Sequence, residues 1–373
     1  MRRITVALAA MACAFFAWTG LAAAAGQAGD AIEGSYIVVV KQGSDPKSVA
    51  EGKKAKTKHV YRDAVNGFAA ELSDQQVAGL RADKRVATVE QDRVVTADAT
   101  QTGATWGLDR IDQRYRPLSG TYTYTSTASN VYAYVIDTGI YTAHSNFGGR
   151  AANVYDALGG NGQDCNGHGT HVAGTIGSAT YGVAKAARLR GVRVLNCQGS
   201  GSTSGIIAAL NWLRTNAARP AVANMSLGGG YSSTLNNAAA SLANSGVFLA
   251  VAAGNENQNA CNVSPASASS VFTTASSTSS DTKSSFSNWG SCVEAYAPGS
   301  SITSTWRNGG YNTISGTSMA SPHVAGAAAL YKGNYGDAAS STISSWLIGN
   351  ATANVISGNP SGTPNRLLYK AGL

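Results

Sequence analysis

Charge is scarce in this 373-residue chain: Lys, Arg, Asp and Glu together make up 13% of it. From Ala99 onward there are 15 basic and 9 acidic residues, a net of +6, neither clustered nor interleaved with aromatics. That excludes a nucleic-acid-binding surface and a charged disordered polymer. Cysteine is sparse, with five residues and no Cys-x-x-Cys spacing, which argues against a zinc site. Long apolar runs are missing except at the N-terminus, and no later segment is apolar enough to span a bilayer.

What is present points to a compact, small-residue-rich α/β protein with 43 glycines. The N-terminal exception reads Met1-Arg2-Arg3, then an apolar run from Ile4 to about Leu21, then Ala22 to Ala25. A basic start, apolar middle and small-residue exit predict a secretory signal over residues 1–25, cut near Ala23 to Ala25, and hence a secreted, extracellular product. Cys13 lies inside that signal, so Cys165, Cys197, Cys261 and Cys292 remain. Four cysteines in an exported chain suggest two disulfides with three possible pairings. Sequential pairing would close loops of about 30 residues, each contributing ~3–4 kcal/mol.

Residues 26–98 balance 11 basic against 11 acidic residues and read as a small separate domain. Strands are predicted at Tyr36 to Val40, Phe68 to Leu72, Val86 to Glu90 and Val94-Val95, and helical composition spans Pro46 to Lys58. Ser73-Asp74-Gln75-Gln76 is a capping box that opens a helix to about Ala82. The expected order is β-α-β-α-β, an open α+β sandwich of marginal size for independent stability. The polar run Thr96 to Gly103 is the expected linker and proteolysis site.

Residues 99–373 alternate apolar strands with helices. Strands are predicted at Val131 to Ile136, Leu189 to Leu195, Val222 to Met225, Val247 to Val251 and Val293 to Tyr296. Helices are predicted at His168 to Ile176, Thr203 to Asn216, Ser233 to Ser245 and Ser318 to Leu330. Near-continuous apolar strands between helices predict a mostly parallel sheet covered on both faces, with chemistry at the strands' carboxyl ends. The Ser-rich stretch Ser264 to Ser287 reads as surface loop and short strand.

Four positions fall where that rule places chemistry. Asp137 directly follows the first strand in Val-Ile-Asp-Thr-Gly, and His168 starts a helix in Asn-Gly-His-Gly-Thr-His. Asn255 follows another strand in Ala-Ala-Gly-Asn, and Ser318 opens a helix in Gly-Thr-Ser-Met-Ala-Ser-Pro-His. Alone, each is ordinary: a turn Asp, a helix-end His, an αL Asn, a Ser cap. Together they form a set in which His168 takes the proton of Ser318 and Asp137 holds the imidazole. Asn255 and the Ser318 amide then bind an oxyanion. Pro322 is expected in the first helical turn, Gly316 at a tight turn, and His171 and His323 in structural roles.

These four segments, in the order Asp, His, Ser, resemble the signatures of the subtilisin-like serine proteases. Thr105-Trp-Gly-Leu-Asp-Arg-Ile111 and Asn224-Met-Ser-Leu-Gly-Gly-Gly230 are similar to the proteinase K and aqualysin branch. The likeness covers nearly all of residues 99–373, and residues 35–96 resemble the family's inhibitor-like propeptide. It implies a subtilisin-like fold and a serine endopeptidase, acting on polypeptides as a monomer. It also implies that its own propeptide serves as chaperone and inhibitor and is cut off near Ala97 to Ala99. Gly199, Ser200 and Gly201, with Ser226, Leu227 and Gly228, would form strands flanking an extended substrate. Ala252, Ala253 and Gly254 would line an apolar pocket for a large residue before the scissile bond. The resemblance further implies the pairs Cys165–Cys197 and Cys261–Cys292. It implies structural Ca²⁺ at Asp109, Asp112 and Gln113, with oxygens near Ser119 and Thr121. A second family site uses an Asp where this chain has Glu294, with loop carbonyls near Ser269 and Val271.

Rival classes fit less well. A lipase or esterase needs Asp and His after the nucleophile, and only His323 follows Ser318. A metallohydrolase built on His168, His171 and Asp137 lacks the Glu of a zinc helix. An inactive protease-like binding module would not be expected to keep every reactive position filled.

Overall fold

The computed structural model describes residues 31–93 and 99–373; the expected signal and Val94 to Asp98 lie outside the described residues.

The N-terminal unit runs β1 (Ala31–Val40), α1 (Pro46–Gly52), β2 (Lys56–Tyr61), β3 (Gly67–Glu71), α2 (Asp74–Arg81) and β4 (Val86–Arg93). Its antiparallel sheet has the order β2-β3-β1-β4. The capping box forms, with Ser73 Oγ accepting from the Gln76 amide and the Gln76 side chain accepting from the Ser73 amide. The helix expected from Pro46 to Lys58 is shorter, and an extra strand follows it. Asp45 caps α1 and its carboxylate accepts from the Ser48 amide. Beyond Gly52, β2 pairs with β3, so ladder pairing overrides the helical composition of its lysines. The order is therefore β-α-β-β-α-β.

The expected linker Thr96 to Gly103 is also corrected. Its second half is β5 (Ala99–Thr102), which pairs antiparallel with β6 (Thr121–Tyr124) across α3 (Trp106–Asp112). Residue 99 onward is thereby stitched to the C-terminal unit.

That unit continues with β7 (Tyr132–Asp137), β8 (Ala152–Asp156), α4 (His168–Gly177), β9 (Arg188–Arg193), α5 (Thr203–Asn216), β10 (Ala221–Met225) and β11 (Gly229–Gly230). It then runs α6 (Ser233–Asn244), β12 (Phe248–Ala252), β13 (Val263–Ser264), β14 (Phe272–Ser277), β15 (Ala295–Pro298), β16 (Ile302–Thr305) and β17 (Tyr311–Ile314). The chain ends with α7 (Thr317–Tyr335), α8 (Ser340–Asn350), β18 (Thr352–Ala353) and β19 (Arg366–Leu367). The nine-stranded sheet has the order β18-β19-β15-β14-β12-β10-β7-β9-β8. All its pairs are parallel except β18 with β19.

Alternation along the strands feeds two cores. Ala133, Val135, Phe248 and Ala250 pack with α4 and α7 on one face. Tyr134, Ile136, Leu249 and Val251 pack with α5 and α6 on the other. This double burial explains why the strands read as unbroken apolar runs. The stretch Ser264 to Ser287, expected as surface loop and short strand, does carry a strand, β14, but it lies in the middle of the sheet with every residue buried. Some of its hydroxyls are buried in bonds: Thr273 Oγ1 donates to the Ala266 carbonyl, and the Ser276 and Ser284 hydroxyls share one at 2.7 Å, whereas Thr274 Oγ1 and Ser277 Oγ are buried without a partner. No described helix is long and apolar enough to cross a membrane.

Candidate active site

Asp137, Ser226 and Asn255 stand at or just beyond the carboxyl ends of β7, β10 and β12, which are neighbours in the sheet. His168 begins α4 and Ser318 is the second residue of α7, two helices packed in one core.

The Asp137 carboxylate is fully buried and accepts from the Thr138 amide at 2.7 Å. His168 Nδ1 donates to both its oxygens, at 2.8 and 2.9 Å. With Nδ1 engaged, Nε2 is the basic nitrogen. About 26% of the His168 side chain remains exposed, on a cleft of about 570 Å³. Burial pulls the imidazole pKa down, but the charge and hydrogen bond of Asp137, then the charge of Asp164, more than reverse it. The net shift is upward from 6.5. His171, three residues on, has the opposite fate. Burial lowers its pKa to about 4, and its Nε2–H donates to the carbonyls of Ile302 and Asn312. His323 is likewise buried, with a pKa lowered to about 4, its ring beside the Met319 carbonyl. Both are structural, as expected.

Asp164 was not among the residues expected to matter. Its carboxylate accepts from the Thr138 hydroxyl, from the amides of Asn166, Gly167 and Thr170, and from the Thr170 hydroxyl. It thus ties the β7 exit to the first turn of α4 and adds negative charge near His168. An Asp four residues before a helix start is a local capping signal that could have revealed it. Gly167, between them, has φ +114°, and a Cβ there would fall 2.4 Å from the Trp306 ring, so only glycine suits the position.

Ser318 Oγ donates to the Ser226 carbonyl at 3.2 Å. Asn255 Oδ1 accepts from the Thr317 amide and hydroxyl at 2.8 and 3.0 Å, which fixes the side-chain amide with Nδ2 as its free end. A Cβ built on Gly316 would lie 3.6 Å from Ser318 N and 3.8 Å from Asn255 Nδ2. The two donors therefore border one small space that glycine leaves open. Gly316 is in extended backbone, not the tight turn expected of it. Pro322 is also displaced from expectation: it is the sixth residue of α7, inside the helix and beyond its first turn.

A second cleft, of about 500 Å³, is lined by Ala252, Gly254, Asn255, Glu256, Val263, Ala266, Thr317 and Ser318. Leu227 to Gly230 border both clefts. The first is also lined by Gly199, Ser200, Gly201 and Ser226, as expected, but neither 199–201 nor 226–228 is a strand. Residues 196–200 instead close a turn, with the Asn196 amide donating to the Ser200 carbonyl. Strand pairing begins only at Gly229–Gly230, with β13. Ala253 does not line the second cleft; it is fully buried in a small core with Ala260 and Tyr296. The second cleft is less apolar than expected, since Glu256 lines it, its carboxylate accepting from the Asn255 amide and Asn288 Nδ2. Both disulfides form as implied: Cys165–Cys197 beside the first cleft and Cys261–Cys292 beside the second.

The residues implied for calcium do not form a cation cage. Asp109 accepts from the Ser119 amide and hydroxyl and the Gly120 amide. Asp112 accepts from the Thr123 amide and pairs with the buried Lys370 ammonium at 2.9 Å. Gln113 points its NH₂ at the Tyr115 and Pro117 carbonyls. The carboxylates thus already face internal donors, and Lys370 supplies positive charge. Glu294 accepts from the Thr273 amide, and burial raises its pKa to about 7. Among the described residues, no group of three His, Cys, Asp or Glu is placed to hold a metal ion.

Residues 128–369 match the subtilase family, and residues 35–98 match Peptidase inhibitor I9. The chain is 50% identical to an extracellular serine proteinase of a Thermus species over 372 residues, covering 92% of this chain and 91% of the relative. It is 46% identical to proteinase R of Parengyodontium album, covering 91% and 90%. A crystal structure of a cold-adapted subtilisin-like serine proteinase is 53% identical with a TM-score of 0.71, covering 72% of this chain and 99% of that one.

Proposed function

The chain belongs to the subtilase family and is a subtilisin-type serine endopeptidase; from that premise we propose that it is secreted and cuts polypeptides through Ser318, His168 and Asp137. The observation that carries this reading is the Asp137–His168 pair, whose buried carboxylate takes Nδ1–H and leaves Nε2 toward the cleft. Ser318 Oγ turns from the Ser226 carbonyl to His168 Nε2, loses its proton there and attacks the scissile carbonyl. The oxyanion forms in the space beside Gly316, between the Ser318 amide at the α7 N-terminus and Asn255 Nδ2. His168 then returns the proton to the departing amine. Water hydrolyses the acyl-enzyme by the same route.

The substrate lies extended between residues 199–201 and 226–228, which border the first cleft. The side chain before the cut enters the second cleft. Its small lining residues, Ala252, Gly254 and Ala266, leave room for large apolar groups, while Glu256 is held at one wall by its two donors. Residues 1–25 form the signal and 26–98 the propeptide, which chaperones and inhibits the enzyme. Removal near Ala97 to Ala99 frees a chain whose first described strand, β5, is already paired within the peptidase. A structural Ca²⁺ would have to displace the donors now facing Asp109 and Asp112, and no step runs through it.

Mapping the residue modified by a serine-directed reagent tests the proposal. Label is expected on Ser318, and Ser318→Ala should abolish both casein cleavage and release of the pro-segment, by about 10⁶-fold in kcat. Label on another serine, or casein cleavage by the variant, would sink it.

A further inference from the structure

We propose that Ser226 is a positioning residue, and that its hydroxyl holds the Ser318 carbonyl that Pro322 leaves without its helical partner. The inference rests on Ser318 being the nucleophile, as proposed above. Within α7 the carbonyl of residue 318 would accept from the amide of residue 322, but proline has none. A buried carbonyl without a donor is unfavourable. The Ser226 hydroxyl, 92 residues away in sequence, donates to it at 2.7 Å.

The bond is the end of a one-way chain. A carbonyl only accepts, so the Ser226 hydroxyl must donate to it. Ser226 Oγ then accepts from Asn224 Nδ2 at 2.8 Å, and Asn224 Oδ1 accepts from the Ser321 hydroxyl at 2.6 Å. Asn224 and Ser321 are fully buried and Ser226 is 3% exposed, so water does not substitute for any member. The chain leaves α7 at Ser321 and re-enters it at Ser318, passing through the end of β10. It clamps the peptide unit that follows the nucleophile to Ser226, which lines the first cleft and directly precedes the wall shared by both. The Ser318 hydroxyl, in turn, reaches the Ser226 carbonyl. Pro322 thus frees a carbonyl that lets the sheet, not only the helix, set the nucleophile's position.

The test is a double-substitution cycle on the mature enzyme. Ser226→Ala should lower kcat by about 10- to 100-fold with KM changed less than threefold. Pro322→Ala restores an amide at 322 able to donate to the Ser318 carbonyl. Combined with Ser226→Ala, it should recover at least half of the lost kcat on a logarithmic scale. A kcat loss that Pro322→Ala does not relieve, a change confined to KM, or an unchanged kcat would overturn the proposal. Serine-directed labelling of the wild type runs alongside: absence of label on Ser318 would mean that the nucleophile assignment itself had failed. If Ser226→Ala does not accumulate, Ser321→Ala replaces it, because it cuts the chain at its far end and leaves the cleft wall intact. There a three- to tenfold kcat loss relieved by Pro322→Ala supports the clamp, and an unrelieved or absent loss overturns it.

Discussion

In the unit of residues 31–93, α1 and α2 cover one face of the sheet with a small core built on Val38, Phe68 and Leu80. The other face leaves Ile37, Val39, Val60 and Val65 around an open depression of about 570 Å³, with Val60 and Val65 exposed. In the unit of residues 99–373 helices bury both faces of the sheet, and two disulfides cross-link it. The same physics of apolar burial therefore yields one unit whose sheet is buried on both faces and one that is marginal. A segment made to be discarded suits the second description, and a catalyst that must hold side chains from distant elements in register suits the first.

The sharpest way to break this contrast is to damage the small core. Phe68 is fully buried, and Phe68→Ala should cost about 3–5 kcal/mol, comparable to the whole stability of such a unit. The expected result is at least a tenfold drop in yield of active enzyme, with kcat per titrated Ser318 unchanged. An undiminished yield, or an altered kcat per site, would dissolve the division of labour. Next in size is the covalent difference. Removing Cys165–Cys197 or Cys261–Cys292 by paired Cys→Ser changes should lower the melting temperature of the mature enzyme by about 5–10 °C each. Identical melting curves would show that the cross-links do not carry its greater stability.

Titration separates the units further. As the proposed base His168 would have to be neutral, and its pKa is raised above 6.5, so the acid limb of kcat/KM should have its midpoint above pH 6.5. For stability the sign is opposite. A raised folded pKa contributes stability below about 6.5 that is lost as pH rises through the folded value, so the enzyme's His168–Asp137 pair is tightest where it is inactive. Asp164→Asn should move the activity midpoint downward, because a negative neighbour is removed; an upward or absent shift in a pH–rate profile would refute the electrostatic part. The smallest expected effect is chelation. With Asp112 paired to Lys370 and Asp109 held by internal donors, EDTA should change kcat by less than about twofold. A large loss would show that the 109–121 loop rearranges around a cation.

How much was legible beforehand follows from distance along the chain. Helices α4, α5 and α6 and strands β7, β10 and β12 were readable because periodicity and caps are written between near neighbours. Strand β2 was not, since the ladder to β3 that makes it a strand is absent from its own composition. Strand β14 is expected as a short strand, but its burial is not legible, because hydroxyls look polar until their partners are known.

The amino-acid order alone pointed to the proposed chemistry: a family-specific sequence of Asp137, His168, Asn255 and Ser318, each at a strand end or helix start. It could do so because each lies in a short motif. Only the tertiary structure decided how those groups are held. The Ser226 hydroxyl on the Ser318 carbonyl, Asp164 beneath α4, Lys370 against Asp112 and Ala253 turned away from the cleft all depend on contacts between distant parts of the chain. Such contacts arise when sheet and helices pack, and no local pattern encodes which orphaned group will meet which donor.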